Sequence, residues 1–249
     1  MISALIYRRL CLWKNHMVPN LFFFILVPIF VFLLISLPLK NIIRFSLAGI
    51  PYDSWVFPGL IFIISSFTLY PVIFREFFEL RINNKVLMNI SLSPYSKNKI
   101  ILSNLIVACL ETSVMILMSA LLYMFLITAS FNISSIIFFI FCFILHCFLI
   151  GNLYITFTLS IDNLLTIFYI FFILMIIVLF GSGFLIEFSF FPPGFESILK
   201  WAPISIPFQI YLKFSSTNII DYLSIFSMIL LIYLWIIVNG QILKSKLRQ

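Results

Sequence analysis

Charge is what this chain has least of. Only 9% of its 249 residues are Asp, Glu, Lys or Arg, with eight acids and two histidines in all. A soluble globular domain carries about 25% charged residues. Here 63% are hydrophobic instead, which excludes a water-soluble domain and leaves an integral membrane protein. No cluster of acids has metal-ligand spacing, and there is no row of aspartates like that of lipid transferases. Glycine is also sparse, and none of the seven glycines is followed by lysine. A G-x-x-x-x-G-K-[ST] loop is therefore missing, and with it that way of cradling a nucleotide triphosphate. The four cysteines (Cys11, Cys109, Cys142, Cys147) form no C-x-x-C. Three of them lie inside apolar runs, so they read as small hydrophobes rather than a disulfide frame or metal site. The net charge of +7 does not imply nucleic acid. Lys and Arg gather at the edges of apolar runs and form no basic face with interleaved aromatics.

What is present is hydrocarbon in long stretches. A bilayer core of about 30 Å needs roughly 20 apolar residues per helix. Between charges the chain offers 15–39, 54–74, 112–161, 163–186 and 222–243. The third run is too long for one helix, and the polar stretch 128–135 divides it, its first half starting near Ile100. The predicted fold is all-α and integral to the membrane, a single transmembrane domain over 19–249. Its six spans are placed at about 19–39, 54–74, 100–127, 134–161, 163–186 and 220–243. Before them, residues 1–18 predict an interfacial helix, with Ile2, Leu5, Ile6, Leu10 and Trp13 on one face and Arg8, Arg9 and Lys14 on the other. The following run is too long for a signal peptide and lacks a small-x-small cleavage site, so the segment is read as uncleaved.

Orientation follows from Lys and Arg. With the N-terminus inside, eleven of the fifteen fall on inner segments. Only Lys40, Arg44, Lys200 and Lys213 fall outside. Both termini are expected in the cytoplasm. Asp53, Asp162 and Asp221 stand near span ends and read as topology markers.

The one long polar interruption is 75–99. It holds Arg75, Arg81, Lys85, Lys97 and Lys99 with Glu76 and Glu79. Phe78, Ile82, Val86 and Ile90 recur every four residues, which predicts a surface helix that Ser93-Pro94 stops. This segment is either where the membrane part is driven from the cytoplasm or an ordinary basic loop on lipid headgroups.

The connection 184–213 is too apolar for a wet loop. It is also too broken by Pro192, Pro193, Gly194, Pro203 and Pro207 for one helix. It predicts two short helical pieces re-entering the outer leaflet, with Trp201 and Tyr211 at the interface. Pro28, Pro58 and Pro71 sit within or near spans one and two, where kinks are tolerated.

Two polar residues fall at membrane depth. Glu111 and His146 are expected roughly 16 and 21 Å from the inner surface, close enough to pair within a helical hairpin. They either hold that hairpin together, with each other or with a Ser or Thr, or serve a proton relay or substrate contact. Gly181-Ser182-Gly183 with His146 brings an intramembrane serine protease to mind. The serine follows the histidine here, and small triplets more often mark close packing.

The order of these parts resembles the permease subunits of type-2 ABC exporters. The resemblance rests on the N-terminal amphipathic helix, six spans and Pro58-Gly59-Leu60 at the start of span two. It also includes a basic segment ending in Ser93-Pro94-Tyr95-Ser96, and Phe190-Phe191-Pro192 followed by Ile198–Pro203 before the last span. It covers nearly the whole chain through short motifs. Two positions depart from the pattern: Lys85-Val86 replaces a glycine and small residue, and Ser103-Asn104 replaces Gly-Lys. The resemblance implies a permease pairing with a second copy or similar subunit, each resting on a separate ATPase subunit that holds the ATP and Mg. The chain itself would carry no cofactor and no catalytic residue. Segment 75–99 would be the coupling element, with Glu76, Glu79 and Arg81 as polar contacts and Phe77, Phe78 and Leu80 for the ATPase groove. The location implied is the plasma membrane of a bacterium. The path is apolar and suits a drug-like, lipid-linked or glycan cargo. The competing reading is a stand-alone ion-coupled carrier or membrane enzyme using Glu111 and His146.

Overall fold

The structure is a computed structural model and describes residues 2–15, 17–46, 51–82, 95–126 and 133–246. Among them it is helical throughout, with one isolated bridge between Phe45 and Pro51 and no strand. Six helices are long and apolar enough to cross a membrane. The chain is a multi-pass, all-helical membrane protein.

Helix α1 is Ile2–Asn15. Helix α2 begins at Met17–Val31, widens into a π-helical turn at Phe32–Ser36 and ends as Leu37–Ile42, its membrane-length part being Leu21–Ile42. Helix α3 is Tyr52–Ile82, with a π-helical turn at Arg75–Glu79. Then come α4 (Lys97–Leu126), α5 (Ile133–Ser160) and α6 (Leu164–Gly181). Two short helices, α7 (Pro193–Trp201) and α8 (Ile206–Thr217), precede α9 (Tyr222–Lys246).

Local chemistry explains where four of these begin and where one ends. The Ser96 hydroxyl accepts from the Lys99 amide at 3.3 Å, an N-cap for α4. Asn163 does the same for α6 through the Leu165 amide at 3.0 Å. Pro193 and Pro207 occupy first-turn positions of α7 and α8, where a missing N–H costs nothing. Asn218, at φ 55°, ends α8 in the left-handed conformation with its amide on the Phe214 carbonyl. Both π-helical turns in the first half of the chain start four residues after a proline, Pro28 and Pro71. The Tyr123 hydroxyl donates to the Pro28 carbonyl at 2.9 Å, one turn before the first of them, and competes there with the helix ladder.

Helix α3 is the centre of the bundle. It is buried along nearly all of its apolar length, whereas α6 and α9 leave most of theirs outside. It packs on α4 and α5; α5 in turn holds α8 and α9, and α9 returns to α4. Lipid tails are as apolar as leucine, so helices in a bilayer associate by close packing and buried polar contacts rather than by the hydrophobic effect. Small residues stand where that requires them. A side chain at Gly59 would strike the carbonyl of Phe184, just past the end of α6, and one at Gly151 of α5 would press on Leu105 of α4. The aromatic centre is Phe62, with Phe139, Phe184 and Phe208 at ring distances of 5.4–5.6 Å.

Two expectations change here. The helix of span two does not end at Phe74 but runs to Ile82, because Arg75 and Glu76 find partners inside the protein and a paired charge does not break a helix. Residues 83–94, with Val86, Ile90 and the Ser93-Pro94 stop, lie outside the described residues. Tyr211 is buried at 4% exposure against Phe139 instead of lying at the interface, while Trp201 is 82% exposed.

Candidate functional site

The most highly charged place in the bundle lies under α1. Leu5, Arg9 and Trp13 are four apart and share one face of that helix, which turns inward onto α4. Arg9 Nη1 meets Glu111 Oε2 of α4 at 3.0 Å, and Arg9 Nη2 meets Glu76 Oε1 of α3 at 3.3 Å. Arg8 is hydrogen-bonded to Glu76 as well. Arg75 reaches the same two carboxylates at 3.7 and 3.8 Å, and Trp13 Nε1 donates to Glu111 Oε1 at 2.6 Å. The side chains of Arg9, Glu76 and Glu111 are 5%, 4% and 7% exposed. Three helices are thus tied at one buried point.

The electrostatics of this point are tight. Burial pulls the Arg9 guanidinium down to about 9; Glu111 opposes that shift, and Arg75 and Arg8 add to it. Arg9 is therefore still charged at pH 7, with Glu111 the partner that favours its charge. Removing one partner of such a buried pair typically costs about 3–5 kcal/mol, since the other is left uncompensated.

A second cluster closes the end of α3. Arg81 donates through Nη2 to the carbonyls of Thr158 and Ile161, at 3.0 and 2.7 Å, where α5 runs out. These last carbonyls have no partner in their own helix and favour a cation. The same guanidinium meets Asp162 at 2.6 Å, and Lys246 at the end of α9 meets Asp162 at 2.9 Å. Lys246 first, then Arg81, hold the Asp162 carboxyl below the usual range. The three aspartates read as topology markers are all ion-paired: Asp53 with Lys40 at 2.5 Å and Asp221 with Lys213 at 2.7 Å are the others.

The expected pairing of Glu111 with His146 is not formed. Glu111 faces α1, whereas His146 Nε2 lies 3.1 Å from the Ser66 hydroxyl of α3, its ring against Phe62 and Phe184. Of the alternatives open for His146, contact with a serine is the one present. Ser182 donates to its own helix at the Val178 carbonyl, 2.5 Å away. No serine–histidine pair of protease type joins these two residues.

The coupling residues divide into two groups. Phe77 and Phe78 are 1% exposed and packed in the core, the latter stacked on Phe74 at 4.8 Å, so they are not surface residues for a partner's groove. Glu76 and Arg81 are engaged within the chain. Glu79 and Leu80 are half-buried, at the edge of the segment that continues into 83–94.

The connection between α6 and α8 is broken as its prolines require. Pro192 is extended, Pro193 starts α7, and a side chain at Gly194 would meet nothing within 4 Å. Pro203 lies in the turn before α8. Helix α7 buries none of its residues, and Phe195, Ile198 and Trp201 are all exposed, while α8 buries Pro207, Phe208, Ile210 and Tyr211. Beneath α8 a cleft of about 360 Å³ opens between α3, α4 and α5, lined by Phe57, Ala120, Phe139 and Tyr211 among others. Nearly all of it is hydrocarbon. Among the described residues, no three His, Cys, Asp or Glu are grouped to hold a metal ion.

Sequence reasoning passed over one polar network. Asn239 of α9 donates to the Asn152 carbonyl and side-chain oxygen of α5, both at 3.0 Å, and accepts from Thr156, which accepts from Trp235. Two amide side chains inside apolar spans were the available signal. No family model matches the chain, and no curated protein or solved structure matches it either.

Proposed function

We propose that the chain is the transmembrane subunit of an ABC-type exporter, driven by a separate ATPase subunit and working with a second permease copy or a similar subunit. The observation that carries the reading is the charged cluster joining α1, α4 and the polar end of α3. A load applied to segment 75–99 reaches two further helices at once through Glu76 and Glu111, without passing through soft apolar packing. ATP binding can shift a membrane domain only through contacts whose energy differs between two conformations. A buried ionic joint whose pairs can exchange supplies such a difference. The order of parts along the chain supports the same reading. The inner side would hold both termini and segment 75–99, in the plasma membrane of a bacterium.

In this reading the contact surface is Glu79, Leu80 and the residues that follow, since Phe77 and Phe78 are committed to the core. The cargo would be hydrophobic, drug-like or lipid-linked, consistent with the apolar cleft under α8. ATP hydrolysis and its Mg belong to the partner. The stand-alone carrier reading needs Glu111 and His146 on one path. Glu111 is taken by Arg9, Arg75 and Trp13, and His146 by Ser66, so no observation favours it.

The test is a pull-down of the tagged protein from mild detergent, beside a Glu79→Arg/Lys85→Glu variant. ATP hydrolysis is expected to co-elute with the wild type and to fall at least tenfold in the variant, about 1.4 kcal/mol of contact energy. Transport without any co-eluting ATPase would overturn the reading.

A further inference from the structure

Three guanidinium groups and two carboxylates meet beneath α1, so one positive charge is left over once every internal pair is made. Arg9 is 4% exposed, and its Nε has no hydrogen-bond partner. Arg8 Nε is likewise without one, and Arg75 Nε and Nη2 have only their long contacts to Glu76 and Glu111, at 3.7 and 3.8 Å. A buried charge is costly unless paired and hydrogen-bonded, and a set of buried N–H groups without acceptors is equally unfavourable. The cluster is not sealed. The Arg8 and Arg75 side chains are 32% and 34% exposed, which opens it on one side.

What stands at that opening is set by α1. Its outward side carries Ile2, Tyr7 and Leu10, all exposed, and the chain runs directly on into the apolar span of α2. A helix with exposed hydrocarbon beside exposed base lies at the boundary of lipid and water. The anions densest at that depth are lipid phosphates. We infer that Arg8 and Arg75 bind the phosphate of an anionic lipid headgroup, whose negative charge balances the surplus guanidinium. Planar guanidinium forks match phosphate oxygens in pairs, and Arg8 and Arg75 are the two arginines of the cluster whose side chains reach its open side. The site does not depend on the exporter reading. It follows from the charge count and the position of α1.

The experiment uses the purified full-length chain in detergent, titrated with phosphatidylglycerol, with phosphatidylcholine or with inorganic phosphate alone. Thermal stabilisation and native mass spectrometry are the readouts. Phosphatidylglycerol is expected to bind and stabilise in preference to phosphatidylcholine. Arg8→Gln, which leaves the cluster neutral, is expected to weaken that binding about fivefold, the effect of one basic residue near a lipid surface. Glu76→Gln raises the surplus and is expected to strengthen binding by a similar factor, which a purely structural joint would not produce. Lys14→Gln, the same loss of charge outside the cluster, is expected to change little. Equal weakening by Arg8→Gln and Lys14→Gln would overturn the site in favour of general surface attraction. Inorganic phosphate stabilising as well as the lipid would overturn its assignment to a headgroup.

Discussion

A single glycine fixes how α3 meets the broken end of α6. At Gly59 a β-carbon would run into the carbonyl of Phe184, which is backbone and cannot swing aside. At Gly240 the obstacle is the side chain of Asn98, which can turn away. Overpacking a close contact costs typically about 1–3 kcal/mol. Gly59→Ala is therefore expected to lower the thermal midpoint in detergent clearly, and Gly240→Ala much less, by scanning fluorimetry of both variants. Equal midpoints for the two would show that Phe184 can retreat. Residue-level reading of the sequence did less well under α1. Helical periodicity put Arg9 on the face opposite Leu5 and Trp13, although it shares theirs and turns into the bundle. Periodicity knows only the helix's own residues, whereas the partners Glu76 and Glu111 come from other helices. Glu111 was legible as a polar residue needing a partner; which partner was not.

At the scale of elements, lengths were legible and so were most ends: the expected span 134–161 is the helix Ile133–Ser160. Six apolar runs of bilayer length gave six helices, because only a helix satisfies its backbone in hydrocarbon without neighbours. The end of α3 was misplaced, since a change from apolar to charged marks a helix end only when those charges stay in water. Proline breaks in 184–213 told correctly of two short helices, but not that one would be buried and the other left outside. The polar end of α3 also makes a pH prediction. Lys246 and Arg81 hold the Asp162 carboxyl below its ordinary value, so its contribution is complete above the unfolded pKa of about 4. It fades as pH falls through the lowered folded value. The wild type is expected to lose stability on acidification below about pH 4, and Asp162→Asn to lose less over that window. Thermal midpoints of both proteins measured across that range would check it; parallel curves would remove Asp162 from the clamp.

For the whole molecule, hydrophobicity decided class and said almost nothing about arrangement. Apolar spans look alike on every face, so nothing in the sequence marked α3 as the central helix or set α9 against α5. The polar exceptions carry that information: Asn152 with Asn239, His146 with Ser66, Arg9 with two glutamates. In each case only the three-dimensional pairing gave the meaning. The functional account rests on the same level, for it treats the charged joint as the route from segment 75–99 into the bundle. A photo-crosslinking residue at position 79, with a second at Phe195 on exposed α7 as control, tests it most directly in native membranes. The account predicts an adduct between position 79 and an ATP-binding protein, identified by mass spectrometry, and no such adduct from position 195. No ATP-binding protein captured at 79, or the same one captured equally at both, would contradict it.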